Sequence, residues 1–286
     1  MRNLRYYFHR AQKEQWAIGQ FNFSTIEQFN AIVQSAQKLR APIIAGTSEG
    51  ESHFVGLHEA VAVRNVYRKK GVPVFLNLDH CKSFEYAKEA IHAGYDMVHF
   101  DGSKLPLKEN IKISRDVVWQ TWWHRVVVEG EIGRIGTDAS KVYDEKFEVH
   151  EGDLTTVQQA QEYVKKTNVD CLAVSVGTFH GIQTGGLSPH IHLRRLHDIH
   201  EVIHIPLVLH GGSGTPEVDI QEAIKLGVCK ININTDMRVA FTEALRKKLE
   251  TDKDEIVPYK YFPEPMHAVQ EVVEKYIRLF GGENKA

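Results

Sequence analysis

Only three cysteines, Cys81, Cys171 and Cys229, occur in 286 residues, and no Cys-x-x-Cys pair is present. A scattered, odd set excludes a disulfide framework and a thiolate zinc site, and it points to a reducing compartment, so a cytoplasmic location is expected. Long apolar runs are missing too. None reaches the roughly 18 residues that a membrane span needs, and the opening MRNLRYYFHRAQKEQ has no apolar leader core. Neither sign of charge dominates: 35 Lys+Arg stand against 37 Asp+Glu, a formal net charge of -2. That balance argues against nucleic acid or an anionic membrane as partner and leaves local anion sites open. Histidine is the residue in excess, with sixteen copies, so position in the fold must separate ligands from bystanders.

No Pro/Gly/Ser-rich linker divides the chain, and one domain over residues 1–286 is expected. Eight short apolar runs alternate with longer amphipathic stretches. The runs are Ala17 to Phe23, Pro42 to Ala45, Val74 to Leu78, Met97 to Phe100, Val126 to Gly130, Cys171 to Val174, Pro206 to Leu209 and Cys229 to Ile233. Strands covered on both faces read in this way, as continuous apolar segments. The stretches between them, among them Thr25 to Leu39, Leu107 to Trp123 and Asp236 to Leu249, have helical spacing. Eight βα units predict an α/β fold, a closed (β/α)8 TIM barrel, with an open doubly wound sheet as the alternative. Tyr259 to Pro265 reads as a connector, and Met266 to Phe280 as an additional C-terminal helix. Gly133 to Asp153 is long for a βα loop and is either a lid or a solvated insertion.

In such a barrel the reactive groups sit where strands end. The third strand ends NLDH, which sets Asp79 beside His80; the sixth runs into VSVGTFHG with His180, and the seventh into LVLHGGSG with His210. Three imidazoles from three strands, with one coordination position open, describe a catalytic zinc site; isolated structural histidines are the competing reading. Gly181 follows His180, and Gly211, Gly212 and Ser213 follow His210, a composition that suits a backbone anion nest. The eighth strand ends NINTD, where Asn232, Asn234 and Thr235 either bind phosphate or cap the next helix. Asp101 after the fourth strand and Glu131 after the fifth are either metal-associated carboxylates or rim salt bridges. No strand ends in Lys, so Schiff-base chemistry has no evident nucleophile.

The segments GQFNF, TSEGE, LDHC, FDGS, VEGEIGRIG, GTFHG, LHGGSG and NINTD occur in one order along the chain. In that order they resemble the class II (zinc-dependent) fructose-bisphosphate and tagatose-bisphosphate aldolases nearly end to end. The resemblance implies a homodimeric or homotetrameric barrel enzyme of glycolytic carbohydrate metabolism. Its reaction would be reversible cleavage of a ketose phosphate, fructose 1,6-bisphosphate first, to dihydroxyacetone phosphate and an aldehyde such as glyceraldehyde 3-phosphate. It implies Zn2+ on His80, His180 and His210, proton exchange with the C4 hydroxyl at Asp79, and a secondary metal position at Asp101 and Glu131. It also implies a substrate cradle of Gly181, Gly211, Gly212, Ser213, Asn232, Ile233, Asn234 and Thr235, with Asn22 and Ser48 nearby and a monovalent cation, Na+ or K+, beside it.

The chain departs from the family pattern at several positions. Where the mobile loop usually carries its catalytic Glu, GTDASK has Ala139, and Asp138 is the nearest carboxylate and the expected acid. HG is followed by IQTGG, LDHG has become LDHC, Asn234 replaces an Asp sometimes found there, and EPMHAVQ offers no Arg for a far phosphate. Recognition is therefore expected to favour the dihydroxyacetone phosphate half. Two alternatives follow: a tagatose-bisphosphate aldolase, or a catalytically weak metal- and phosphate-binding regulatory protein.

Overall fold

Short Val/Ile/Leu-rich runs, each ended by a glycine or a polar residue, form ten strands in a computed structural model that describes residues 2–135, 142–144, 149–184 and 189–286. They are β1 (Ile18–Asn22), β2 (Ile43–Ser48), β3 (Val74–Cys81), β4 (Met97–Phe100), β5 (Val127–Ile132), β6 (Val142–Tyr143), β7 (Cys171–Val174), β8 (Ile182–Gln183), β9 (Leu207–Leu209) and β10 (Val228–Ile233). Eight of them close into a parallel barrel in the order β1, β10, β9, β7, β5, β4, β3, β2, while β6 and β8 pair as a separate two-stranded ladder. The closed barrel is the predicted fold, and the open-sheet alternative is excluded.

Side chains of a strand alternate between its faces, so every second residue enters the barrel. At the bottom these residues are apolar: Ile18, Ile44, Phe75, Met97, Val127, Cys171 and Val208 form one buried cluster. The helix Leu4–Glu14 belongs to that cluster through Leu4, Tyr7, Phe8 and Ala11, a spacing that puts all four on one helical face. Asn3 caps its first turn by accepting the Tyr6 N–H at 2.9 Å. Arg5 ties it to the barrel through a bidentate contact with Asp170 at 2.7 and 2.9 Å.

The level above is polar, with Gln20, Asn77, His99, Glu129, His210 and Lys230 all buried. Gly46 completes the ring, since a Cβ there would lie 2.1 Å from Asn22 Oδ1. The topmost level, Asn22, Ser48, Asp79, Asp101, Glu131 and Asn232, faces the C-terminal mouth.

Two sequence-based expectations for the helices need correction. Leu107 to Trp123 is helical only over Leu107–Gln120, because the tryptophans that extend its apolar pattern beyond that point, Trp122 and Trp123, face solvent. The expected connector from Tyr259 to Pro265 is mostly helical, as Pro258–Tyr261 and the start of Pro263–Leu279, with the prolines in first turns where no intrahelical N–H is lost. A short helix, Glu49–Val55, not among those expectations, opens on a capping box of Ser48 and Glu51. The helix Pro263–Leu279 packs on Thr235–Thr251 and Ile26–Lys38, so its apolar face is buried within this chain.

Candidate active site

A cavity of about 650 Å3 opens at the C-terminal mouth. Its lining includes Asn22, Ser48, Asp79, His80, Asp101, Glu131, His180, Gly181, Gly211, Ser213, Asn232, Asn234 and Thr235, drawn from the ends of all eight barrel strands and the loops that follow them. Two expected cradle residues do not reach it. Ile233 alternates outward into the core around the barrel, and the Gly212 N–H donates to the Asn232 carbonyl at 3.1 Å, leaving no donor for an anion. Asp138 and Ala139 lie outside the described residues.

At the centre, four imidazole rings pack edge to face. The His80 ring lies 4.6 Å from that of His99, 4.7 Å from His180 and 4.6 Å from His210, while His180 and His210 are 5.8 Å apart. His80 Nδ1 bonds Asp101 Oδ2 at 3.1 Å, and His210 Nε2 bonds Glu129 Oε1 at 2.6 Å. Those carboxylates place one ring proton on His80 Nδ1 and one on His210 Nε2. The remaining nitrogens, His80 Nε2 and His210 Nδ1, face each other at 3.0 Å. Two nitrogen lone pairs that close require a proton or a metal ion between them.

The surrounding charges favour a cation there. Burial opposes charge on His80, yet the Asp79 carboxylate and the Asp101 hydrogen bond raise its pKa above the ordinary imidazole value. His180, desolvated and beside His80 and His210, is held well below that value; burial likewise lowers His210, against its bond to Glu129. Both are neutral near pH 7, the form that ligates a metal. Thiolates play no part, since burial drives Cys81 up to about 12. The donor set therefore fits a metal ion. The tightest groupings of ligand atoms, all within 4.8 Å, are Asp79, His80, His99 and His210, and His80, Asp101 and Glu131. His180 meets His80 ring to ring and stands outside both.

Asp79 is buried, accepting from Asn22 Nδ2 at 3.0 Å and from Asn232 Nδ2 at 3.1 Å. Desolvation would raise its pKa; the charges of His80, His210 and Lys230 outweigh it and hold the carboxyl well below the usual range. Asp79 is thus an ionised carboxylate on the cavity floor, held by two amides. Asp101 is also driven low, burial being overcome by the hydrogen bond and charge of His80, and its Oδ1 accepts from Ser103 Oγ at 2.6 Å.

Several neighbours were not anticipated. Lys230 Nζ, fully buried, meets Glu129 Oε2 at 2.7 Å and Asn232 Oδ1 at 2.8 Å, so it neutralises the carboxylate that orients His210. Lys230 does not line the cavity, and its amine is committed to these partners. Glu51 accepts from Asn22 and pairs with Arg238, which reaches the cavity from the helix Thr235–Thr251. Lys82, Lys104 and Arg134 line the outer rim. Inward alternation exposes the first group in the sequence, since Lys230 is two residues before Asn232 and Glu129 two before Glu131. No local pattern marks the rim cations.

A closed parallel barrel whose C-terminal mouth gathers histidines and carboxylates around one cavity has the build of a metal-assisted barrel enzyme. The family model described as fructose-bisphosphate aldolase class-II matches residues 2–285. A fructose-bisphosphate aldolase of Geobacillus stearothermophilus is 36% identical over 283 residues, covering 97% of this chain and 96% of that protein. A 6-phospho-5-dehydro-2-deoxy-D-gluconate aldolase of Shouchella clausii is 37% identical over 281 residues, covering 96% and 93%. The crystal structure of the YdjI aldolase from Escherichia coli K12 superposes with a TM-score of 0.83 at 26% identity, over 100% of this chain and 99% of that one. The chain belongs to the class II fructose-bisphosphate aldolase family, bearing out the resemblance of its motifs, and is an aldehyde-lyase. Among the described residues no helix is long and apolar enough to cross a membrane.

Proposed function

We propose that this chain cleaves a phosphorylated ketose, with fructose 1,6-bisphosphate the first substrate to test, into dihydroxyacetone phosphate and an aldehyde, using Zn2+ held by His80, His180 and His210. The observation that carries the reading is the pair of facing nitrogens on His80 and His210, with ionised Asp79 on the floor beside them. A divalent ion held there would act as a Lewis acid on the substrate ketone. Asp79 takes the proton of the C4 hydroxyl, whose loss drives scission of the adjacent carbon–carbon bond. Asn22 and Asn232 aim that carboxylate and keep it from rotating away. Asp138 is proposed to return a proton to carbon. The buried Lys230 amine is tied to Glu129 and does not line the cavity, so it is not placed to form a Schiff base with the substrate.

The phosphate of the dihydroxyacetone half is assigned to the loops after β9 and β10. Gly211, at φ 67°, approaches so closely that a Cβ would lie 2.3 Å from the Phe179 carbonyl oxygen. Asn234 begins the 17-residue helix Thr235–Thr251 without a side-chain cap, and its buried Oδ1 lacks a hydrogen-bond partner among the described residues. The Asp236 N–H of that first turn donates to Ser213 Oγ at 3.3 Å; the positive end of the helix suits an anion, and a monovalent cation would satisfy the carbonyl oxygens around it.

A second reading concerns the far end of the substrate. Lys82, Lys104 and Arg134 would receive a carboxylate as readily as a phosphate, and one relative is named for a phosphorylated keto-acid. The test is triose-phosphate release, measured by coupled assay side by side on fructose 1,6-bisphosphate, tagatose 1,6-bisphosphate and 6-phospho-5-dehydro-2-deoxy-D-gluconate. Fructose 1,6-bisphosphate should give the highest kcat/KM. A dominant keto-acid rate would move the assignment to the second reading, and no release from any of the three would favour the regulatory alternative.

A further inference from the structure

His99 is fully buried on the polar level of the barrel, does not line the cavity, and is assigned neither metal ligation nor proton transfer above, although its Nδ1 lies 3.5 Å from Asp79 Oδ1. Burying an imidazole is costly unless its nitrogens are used. The register between β3 and β4 shifts between Leu78 and Cys81, so the segment carrying Asp79 and His80 bulges away from the regular ladder. Within that bulge His80 has φ 52°, in the left-handed region that side chains rarely adopt. The His80 N–H, released from the ladder, donates to His99 Nδ1 at 3.1 Å. His99 Nε2 lies 3.0 Å from Glu131 Oε2, and its ring packs 4.6 Å from the His80 ring and 4.8 Å from the His210 ring.

We propose that His99 is a positioning residue for the metal centre: its Nδ1 captures the His80 amide and holds the strand-end bulge in the one conformation that turns the His80 ring toward His210. Because Nδ1 accepts, the ring proton sits on Nε2, which lies near Glu131 Oε2 without the alignment of a hydrogen bond. The contact to the His80 backbone is the one that matters, since it offsets the cost of the left-handed conformation at a ligand. This inference rests on the reading of His80 as a metal ligand, and metal binding, not turnover, is what tests it.

The experiment compares His99→Leu, His99→Asn and His99→Gln in the full chain. Zn2+ affinity is read by competition with a chromophoric chelator, the visible spectrum of the Co2+-loaded protein is recorded, and folding is checked by far-UV circular dichroism. Loss of a group that orients a ligand typically weakens metal binding about 10–100-fold, and that is the loss expected for His99→Leu, with an altered Co2+ spectrum. Asn places its acceptor oxygen where Nδ1 stood, so His99→Asn should come within about threefold of wild type and keep the spectrum. Gln places its polar end where Nε2 stood and should behave as Leu does. Should the Leu variant fail to fold, the Asn/Gln pair decides alone. Unchanged affinity in His99→Leu, recovery by Gln instead of Asn, or equal losses in Asn and Gln would each overturn the proposal while leaving the metal site standing. A wild-type protein that takes up neither Zn2+ nor Co2+ would overturn the metal reading itself.

Discussion

The two ends of the barrel are made by the same strands and do opposite work. At the bottom, Ile18, Phe75, Met97 and Val127 meet the helix Leu4–Glu14 in a closed apolar plug. Four residues further along the same strands stand Asn22, Asp79, Asp101 and Glu131, open to the cavity. Between them lies the level of His99, Glu129 and Lys230, buried and polar. The lower end gains from burial of apolar surface. The middle level gains little from burial of charge, because desolvation consumes most of the attraction; what it supplies is orientation for His80 and His210. Stability and chemistry are thus separated by about two residues of strand, and substitutions at the two ends should part cleanly.

The largest effect should come from the metal ligands. His180→Ala should abolish stoichiometric zinc, measured by atomic emission after dialysis, and take cleavage with it while the fold persists. Full occupancy in that variant would remove His180 from the ligand set, a pointed outcome because His180 lies outside both of the tightest ligand groupings.

Asp79→Ala comes next. A positioned acid/base group contributes about 10²–10⁴-fold to rate, so kcat should fall by that factor with zinc content intact. Activity within about threefold of wild type would take Asp79 out of the proton transfer.

At the other end, Phe8→Ala should cost about 3–5 kcal/mol by opening a cavity in the plug, a fall in Tm of roughly 10 °C. Zinc content and kcat per folded molecule should not change. A Phe8 variant that keeps its Tm but loses zinc would show that the plug and the metal centre are not separate.

Most of this contrast is legible along the chain. The Val/Ile/Leu runs announced eight strands, and LDH, FHG and LHGGSG put Asp79, His80, His180 and His210 at strand ends; the structure sets Asp79, His80 and His180 on the cavity lining and His210 one level below it, fully buried and ring to ring with His80. His99, Glu129 and Lys230 went unread because they stand inside apolar runs, where a buried strand looks uniform; extending the inward alternation down from Asp101, Glu131 and Asn232 would have reached them. The helix Leu4–Glu14 was passed over as merely lacking a leader, although Leu4, Tyr7, Phe8 and Ala11 have helical spacing. Glu51 and Arg238 form their pair 187 residues apart, a contact that no local pattern carries.

The smallest effect expected belongs to the outer rim. The exposed side chain of Arg134 lines the cavity and has no ion-pair partner among the described residues, while its backbone is clamped by an N–H bond to the Asp153 carbonyl at 2.8 Å and by Ser175 Oγ on its own carbonyl at 2.7 Å. A clamped backbone carrying an unpaired guanidinium is suited to an anion on the far end of the substrate. One charge-assisted hydrogen bond is worth about 1.5–3 kcal/mol, which is roughly a 10–100-fold change, but Lys82 and Lys104 on the same rim should recover part of it. Arg134→Ala should therefore lower kcat/KM for a ketose bisphosphate by about tenfold and leave the matched ketose 1-phosphate within about threefold. Because the contact lies far from the bond that breaks, the loss should fall mainly on KM. Equal losses on both substrates would mean that Arg134 acts on the reacting half of the molecule, and would draw the line between chemistry and recognition further out along β5 than it is drawn here.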